Sequence, residues 1–414
     1  MQTRYVSLAL ALALFARAGA AAESTAGMLT VHADPSLTLS QVIDAAVDRE
    51  PRSGIAAAVG QEAGAMRDRA GSILSGAPAL SVLHHNDAPA SANGVREWET
   101  GIELPLWRPG QRRASREVAS RTQAVADSSR SALRYEVAGA VRQALWELAV
   151  ADERVALAHR AWQTARALEA DVRKRVRTGD LAQADLLLAR DEALTKQDEY
   201  LSAAAELRQS ESRYRTLTGL TVRPAQFAET RSRRSVIEPT HPLLTDARAR
   251  VSRTRAELMH TERARGGSPQ LIVGTRHEKT AVGADYETSL AIGFRIPFGT
   301  RTYNAPAVAA ANTALAEADS RHQAQRRALE LALSKAREQV QTLHAELALV
   351  REQHRLAQEN LRMARIAFNV GEMDLTALLR VQARAFNAER NLSLRRVQLQ
   401  HAVANYNQAV GVTP

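Results

Sequence analysis

The sequence predicts a mainly α-helical chain with a smaller β part of membrane-crossing strands, arranged as two tandem copies of one helix–strand–strand–long helix–helix plan. Three observations predict it. Landmark residues recur at a fixed offset. A seven-residue apolar period runs through very long stretches without helix breakers. Short segments alternate apolar with small or polar residues.

The offset organises the chain. Pro105 in Leu104-Pro105-Leu106 recurs as Pro297 in Ile296-Pro297-Phe298, Gly179 as Gly371, Tyr214 as Tyr406 and Gly219 as Gly411, each pair 192 positions apart. Pro51 and Pro78 pair with Pro242 and Pro269 at an offset of 191, so one residue entered the second copy before Pro297. A repeat of this length is a whole assembly copied once rather than a solenoid unit. The expected divisions are 23–219 and 241–414, with a linker over 220–240.

Residues 1–22 read as a secretory signal. Arg4 supplies the positive start, and Val6 to Ala16 form an apolar stretch too short to span a bilayer as a helix. Ala18-Gly19-Ala20 and Ala20-Ala21-Ala22 both satisfy a small-x-small cleavage rule. The chain has no cysteine, which excludes disulfides, thiolate metal sites and a lipoprotein anchor. No later stretch has 18 consecutive apolar residues, so no transmembrane helix is expected. The net charge is +10, but Arg alternates with Glu and Asp along the helical stretches. That pattern reads as solvated helix faces rather than a nucleic-acid surface. Aromatic residues make up only 4%, which suits closely packed long helices.

The first helix is expected to start at Ser36-Leu37-Thr38, with Asp34 or Ser36 as its cap, and to run towards Ser75 with a kink at Pro51. Its second-copy equivalent is expected from about His241 to just before Gly266-Gly267. Strands are expected at Pro78–His85, Trp98–Leu106, Gln270–Glu278 and Tyr286–Phe298. In the last of these, Tyr286, Thr288, Leu290, Ile292, Phe294, Ile296 and Phe298 alternate with Glu287, Ser289, Ala291, Gly293, Arg295 and Pro297. Trp98, Ile102, Leu104 and Leu106 likewise oppose Glu99, Gly101 and Glu103. The stretches Asn86–Val95 and Lys279–Asp285 read as hairpin loops.

Long helices then follow, over about Pro109–Val176 and Ala307–Val370. The row Leu329, Leu333, Ala336, Val340, Leu343, Leu347, Val350, His354, Ala357, Leu361, Ala364, Phe368 steps by four and three. Val137, Val141, Ala144, Leu148, Ala151, Val155, Ala158, Trp162 and Ala165 do the same. A sustained seven-residue period imposes a left-handed coiled coil. His354 reads as a core histidine in that row. Gly179 and Gly371 end the long helices and reverse the chain into partner helices over about Leu181–Leu217 and Asp374–Val410.

Four strands of this length cannot close a barrel, and an open edge is not tolerated in lipid. Closure takes at least eight strands, so two or three chains must contribute, giving eight or twelve. Gly101, Gly293, Ala291 and Ser289 on the inward face favour the wider lumen that twelve would leave.

On these residues the chain resembles the TolC-type outer-membrane efflux family over essentially all of its mature length. The two-fold repeat, the two proline-bearing strand ends and the Gly-centred turns carry the resemblance. So do the segments from Arg175 to Leu187 and from Ala367 to Glu372, which are similar to the family's helix-tip motif. The short tails are most similar to the heavy-metal branch, the CzcC and CusC type.

The resemblance implies a homotrimer in the outer membrane of a Gram-negative bacterium. A twelve-stranded barrel would sit in outer-membrane lipid, with a long periplasmic α-helical coiled-coil tunnel below it. The tunnel would dock with a periplasmic adaptor (membrane fusion protein) and an inner-membrane pump of the resistance-nodulation-division type. The protein would conduct metal cations or small toxic compounds passively, with no catalytic work and no cofactor. The adaptor-docking tip would comprise Thr178, Gly179, Asp180, Val370, Gly371 and Glu372. Relatives carry acidic residues at the positions matching Ala377 and Arg380 in the periplasmic aperture. This chain departs from that ring, which leaves Asp185, the equivalent of Ala377, and Arg380 as its aperture residues. Two readings stand for Arg380: a solvated helix residue, or a latch that pairs with Asp185 or Asp191 of an adjacent helix.

Enzyme chemistry has no support in the sequence. It contains no Gly-rich phosphate loop, no paired histidines with a carboxylate at zinc spacing and no nucleophile elbow. His84 and His85 are neighbours in a strand and point to opposite faces, so they do not chelate one ion. Two other classes compete with a conduit: an exported coiled-coil scaffold, and a periplasmic adaptor. Alternating strands at repeat-equivalent places argue against the first. Two tandem hairpins, where an adaptor has one, argue against the second.

Overall fold

A computed structural model describes residues 30–264, 266–298 and 301–414. The expected secretory signal over 1–22 lies outside the described residues. The chain is mainly helical. Thr38, rather than Asp34 or Ser36, caps the first helix, α1 (Leu39–Arg49). Its hydroxyl accepts the Gln41 N–H at 3.3 Å while Gln41 Oε1 accepts the Thr38 N–H at 2.8 Å, a reciprocal capping box. Asp34 closes a local turn instead, accepting the Ser36 N–H at 2.8 Å. Pro51 separates α1 from α2 (Ser53–Gly71), so the single kinked helix expected there is two helices. A sheet not foreseen in the sequence pairs β1 (His32–Asp34) with β4 (Val222–Pro224) in parallel. Three-residue strands are too short to show a period.

The main sheet has the order β2-β3-β5-β6 and is antiparallel throughout. Its strands are β2 (Ala79–Asn86), β3 (Arg96–Pro105), β5 (Gln270–Lys279) and β6 (Glu287–Arg295). Strands from the two halves of the chain thus meet at its centre, where Gly101 faces Gly274. A Cβ at Gly274 would collide with the Thr100 carbonyl oxygen, so the close approach of β3 and β5 requires glycine. β6 ends before Ile296-Pro297-Phe298, short of the expected Phe298, because proline cannot donate to a ladder.

The long helices are α3 (Gln111–Thr178) and α6 (Arg301–Asn369). Their partners are α4 (Gln183–Thr218) and α7 (Leu375–Ala409), and α5 is Pro242–Arg263. α6 starts before Ala307 and takes in Pro306, where only the single bond to Thr302 is forgone. Along α6 the expected row is buried at Leu329, Leu333, Ala336, Val340, Leu343, Leu347, Leu361, Ala364 and Phe368, with His354 half-buried. Along α3 the buried row follows Val137, Val141, Ala144, Leu148 and Ala151, then shifts to Leu157, Ala161 and Ala165. Steps of four there replace the expected Val155, Ala158 and Trp162, because a straight helix drifts against a seven-residue period.

The chain divides into two compact units, neither of which follows the division expected at 220–240. One holds the described residues up to Glu50, Glu136–Ser235 and Ala332–Pro414; the other holds Pro51–Tyr135 and Val236–Leu331. Among the described residues no helix is long and apolar enough to cross a membrane.

Candidate functional site: the helix turns and an exposed apolar sheet face

The helix turns lie in the first unit. α3 and α6 end in the same hydrogen-bonded motif. Gly179 (φ +83°) and Gly371 (φ +82°) adopt the left-handed conformation. Asp180 N–H donates to the Arg175 carbonyl at 2.9 Å, and Gly179 N–H to that of Val176 at 3.2 Å. Glu372 N–H donates to the Ala367 carbonyl at 2.9 Å, and Gly371 N–H to that of Phe368 at 3.2 Å. This is the Schellman closure twice over. Added Cβ atoms at the two glycines would meet no atom within 4 Å, so only the backbone conformation demands glycine. Thr178, Gly179, Asp180, Val370, Gly371 and Glu372 are all exposed.

Behind the turns an apolar cluster joins four helices: Val172 of α3, Ala189 of α4, Leu361, Ala364 and Phe368 of α6, and Leu375, Leu378 and Ala385 of α7. Arg175 ties the two turns together, a role the sequence pattern did not reveal. Its guanidinium lies 5.0 Å from the Phe368 ring centroid and donates to Asn369 Oδ1 at 2.8 Å. Asp171 on the preceding turn holds it at 3.0 Å. The only sequence signal was that i,i+4 pair.

Asp185 and Arg380 are not brought together. The half-buried Asp185 accepts the Ala182 N–H at 3.1 Å. Arg380 is exposed, and among the described residues it has no ion-pair partner. In the second turn Asp374 caps α7 by accepting the Ala377 N–H at 2.7 Å. Ala182 matches Asp374 and Asp185 matches Ala377, so the two turns keep opposite halves of one cap.

Two tyrosines 192 positions apart bond the segment between α4 and α5. The Tyr214 hydroxyl donates to the Val222 carbonyl at 2.9 Å, and that of Tyr406 to the Arg234 carbonyl at 2.7 Å. Burial pushes the Tyr214 phenol up to about 12.

The sheet lies in the second unit, and its register sorts residues by face. One face carries Leu80, Ile102, Val273 and Ile292 in one row, Val82, Thr100, Thr275 and Leu290 in the next, and Leu104, Leu271 and Phe294 towards the helical end. This face is open, with Leu290 70%, Ile292 64% and Phe294 66% exposed. The other face carries Ser81, Gly101, Gly274 and Ala291, and every glutamate of the four strands. There Arg276 pairs with Glu97, Glu99 and Glu278. His84 stacks on Trp98 with centroids 4.0 Å apart, whereas His85 falls on the opposite face. Among the described residues no group of three or more His, Asp or Glu could hold a metal ion.

Residues 237–412 match the sequence model of the outer membrane efflux protein family. No curated protein sequence matches the chain. Its fold is similar to that of the outer membrane protein VceC from Vibrio cholerae, with a TM-score of 0.72, 17% identity, and 90% of this chain and 96% of that one covered. CusC, described with transmembrane channel formation, gives 0.72 at 16% identity, covering 92% of this chain and 93% of its own. The open-state outer membrane channel MtrE of Neisseria gonorrhoeae gives 0.69 at 16% identity, covering 93% and 91%. Similar scores across these proteins single out no branch. Residues 237–412 thus carry the sequence signature of the outer membrane efflux protein family, and the chain as a whole has the fold of outer-membrane channels.

Proposed function

We propose that the protein is the outer-membrane channel-tunnel of a tripartite efflux system, built from two copies over 23–219 and 241–414. The apolar sheet face carries this reading. It leaves large side chains in the open, and β2 and β6 leave two edges that lipid would not tolerate. Three copies complete twelve strands, and the small residues Ser81, Gly101, Gly274 and Ala291 line a lumen of that width. The helices form the periplasmic tunnel, and transport energy comes from a pump of the resistance-nodulation-division type.

The six exposed turn residues dock a periplasmic adaptor, because a glycine turn lets a second backbone approach closely. Asp185 and Arg380 set the aperture, and their pairing is a contact between copies of the chain. The cargo class is metal cations or small toxic compounds, by analogy with the CusC branch. The test is expression of the full chain followed by fractionation. A heat-modifiable, carbonate-resistant trimer in outer-membrane fractions, with single-channel conductance in planar bilayers, is expected. A soluble, non-conducting product would favour an exported coiled-coil scaffold and overturn the reading.

A further inference from the structure

The charges of the β-sheet are segregated. All its glutamates, Glu97, Glu99, Glu103, Glu278 and Glu287, lie on one face. The apolar face carries only two permanent charges, Arg96 and Lys279, which are direct cross-strand partners. Like charges placed directly opposite destabilise a strand pair. Among the described residues no carboxylate forms an ion pair with either side chain. Asp87, in the adjoining loop, is engaged by the Ser91 hydroxyl at 2.9 Å and the Asn93 N–H at 2.8 Å. An anion from outside would relieve this repulsion on a face free of acids.

The position of the pair identifies that anion. Arg96 and Lys279 sit at the hairpin ends of β3 and β5, away from the helices. Two residues below them, roughly 7 Å along the strands, Trp98 lies between His84 and His277 in register. His84 stacks on the indole, and the Thr288 hydroxyl lies 2.7 Å from His277 Nδ1. Tyr286 lies beside the Lys279 ammonium, 6.0 Å from ring centroid to Nζ. Below them come a row in which Thr100 and Thr275 share a hydrogen bond at 3.0 Å between Val82 and Leu290, then the apolar row Leu80, Ile102, Val273 and Ile292. Apolar band, amphipathic aromatic belt and cationic rim succeed one another in the order a bilayer presents acyl chain, interface and head group.

We infer that Arg96 and Lys279 bind the phosphate groups of a phosphorylated lipid in the outer leaflet, with Trp98 and Tyr286 seated at its interface. The inference rests on the membrane reading proposed above. Native mass spectrometry of the detergent-purified full-chain protein tests it, with diphosphorylated lipid A, its dephosphorylated form and phosphatidylethanolamine as probes.

The wild type should retain the diphosphorylated lipid in preference to the other two. A basic side chain at an anionic surface changes affinity roughly fivefold, so Arg96→Gln with Lys279→Gln should weaken retention about 25-fold and Lys279→Gln alone about fivefold. Arg321→Gln, which removes a cation from α6, should change nothing. Millimolar inorganic phosphate should leave the lipid in place. If the double variant is a heat-modifiable membrane protein and retains the lipid as well as the wild type, the inference is wrong while the membrane reading stands. Equal retention of the dephosphorylated lipid, or displacement by inorganic phosphate, overturns it too. A wild type that never enters membranes overturns the membrane reading itself.

Discussion

Arg142 and Glu229 form a two-pronged ion pair inside the first unit, Nε to Oε1 at 2.7 Å and Nη2 to Oε2 at 2.8 Å. The arginine side chain is 2% exposed and the glutamate 15%. Nη1 also reaches Gln408 Oε1 and, at 3.1 Å, the Val412 carbonyl. Glu229 Oε2 accepts from Asn407 Nδ2 at 3.0 Å. One guanidinium therefore joins α3, the linker and the C-terminal end of the chain. Removing one partner strands the other charge in a dry site, at a cost of about 3–5 kcal/mol. Glu229→Ala and Arg142→Ala should each lower the temperature at which the protein loses its heat-modifiable form. An Arg142→Met, Glu229→Leu double variant should recover most of the loss. Full retention of thermal stability in Glu229→Ala would mean that the pair does not hold the linker.

The sheet assignment predicts opposite outcomes for neighbouring residues. Leu290→Arg or Ile292→Arg places a charge on the face proposed to meet lipid, at roughly 2–4 kcal/mol near the midplane. Ser289→Arg lies on the other face, opposite Arg276 but beside the Glu97, Glu99 and Glu278 carboxylates that offset a second cation, and should assemble normally. Quantitative blotting of outer-membrane fractions reads the difference, and equal yields for the two classes would contradict the face assignment.

The turn glycines separate docking from folding. No atom blocks a side chain at Gly371, so Gly371→Leu meets only the left-handed backbone penalty, roughly 1–2 kcal/mol. Gly371→Asn should tolerate that conformation better. If the turn docks an adaptor, Gly371→Leu abolishes resistance while trimer and membrane levels hold. Loss of the trimer instead would make the glycine purely structural.

A pH response is built into the start of α5. His241 is buried, and Nδ1 accepts the Leu243 N–H at 3.3 Å as the helix cap. Burial pushes the imidazole down to about 4. The folded chain therefore holds His241 neutral, while the unfolded chain protonates it near the ordinary value of about 6.5. Stability from this group is complete above about pH 6.5 and falls as pH drops towards 4, by about 3 kcal/mol in all. His241→Asn keeps a cap and removes the titration. Thermal denaturation across that range should show a shallower acid loss in the variant; parallel curves would exclude His241 as the source.

Much of this arrangement could be read from the sequence, for identifiable reasons. Period-two alternation marked Leu290, Ile292 and Phe294 as one face because one side of the sheet is consistently apolar. The glycine pair at 179 and 371 marked both turns because a positive φ leaves few alternatives. The sequence points to Asp34 or Ser36 as the first cap, where the structure has Thr38, because all three are competent cap residues. Only the Gln41 side chain, reaching back, decides among them. Arg142 was invisible because its partners lie 87 and 266 positions away. Arg175 has only an i,i+4 pair with Asp171 as a sequence signal, because Phe368 and Asn369 come beside it only in the fold.

The aperture prediction follows from the exchanged caps. Asp374 spends its carboxylate on the Ala377 N–H, and Asp185 on the Ala182 N–H. Neither forms an ion pair within one chain among the described residues, and the Arg380 guanidinium is exposed. Each carboxylate retains acceptor capacity, so a neighbouring copy can bring Arg380 to Asp185 without breaking the cap. If that contact latches the tunnel, Arg380→Ala raises the single-channel conductance of the trimer. Asp185→Ala should raise it as well, with a small loss of helix stability from the missing cap of about 1 kcal/mol. The double variant should then conduct no more than either single variant, because both remove the same contact. Additive increases would mean two independent constrictions. An unchanged conductance in Arg380→Ala would remove the latch and leave Asp185 as a helix cap alone.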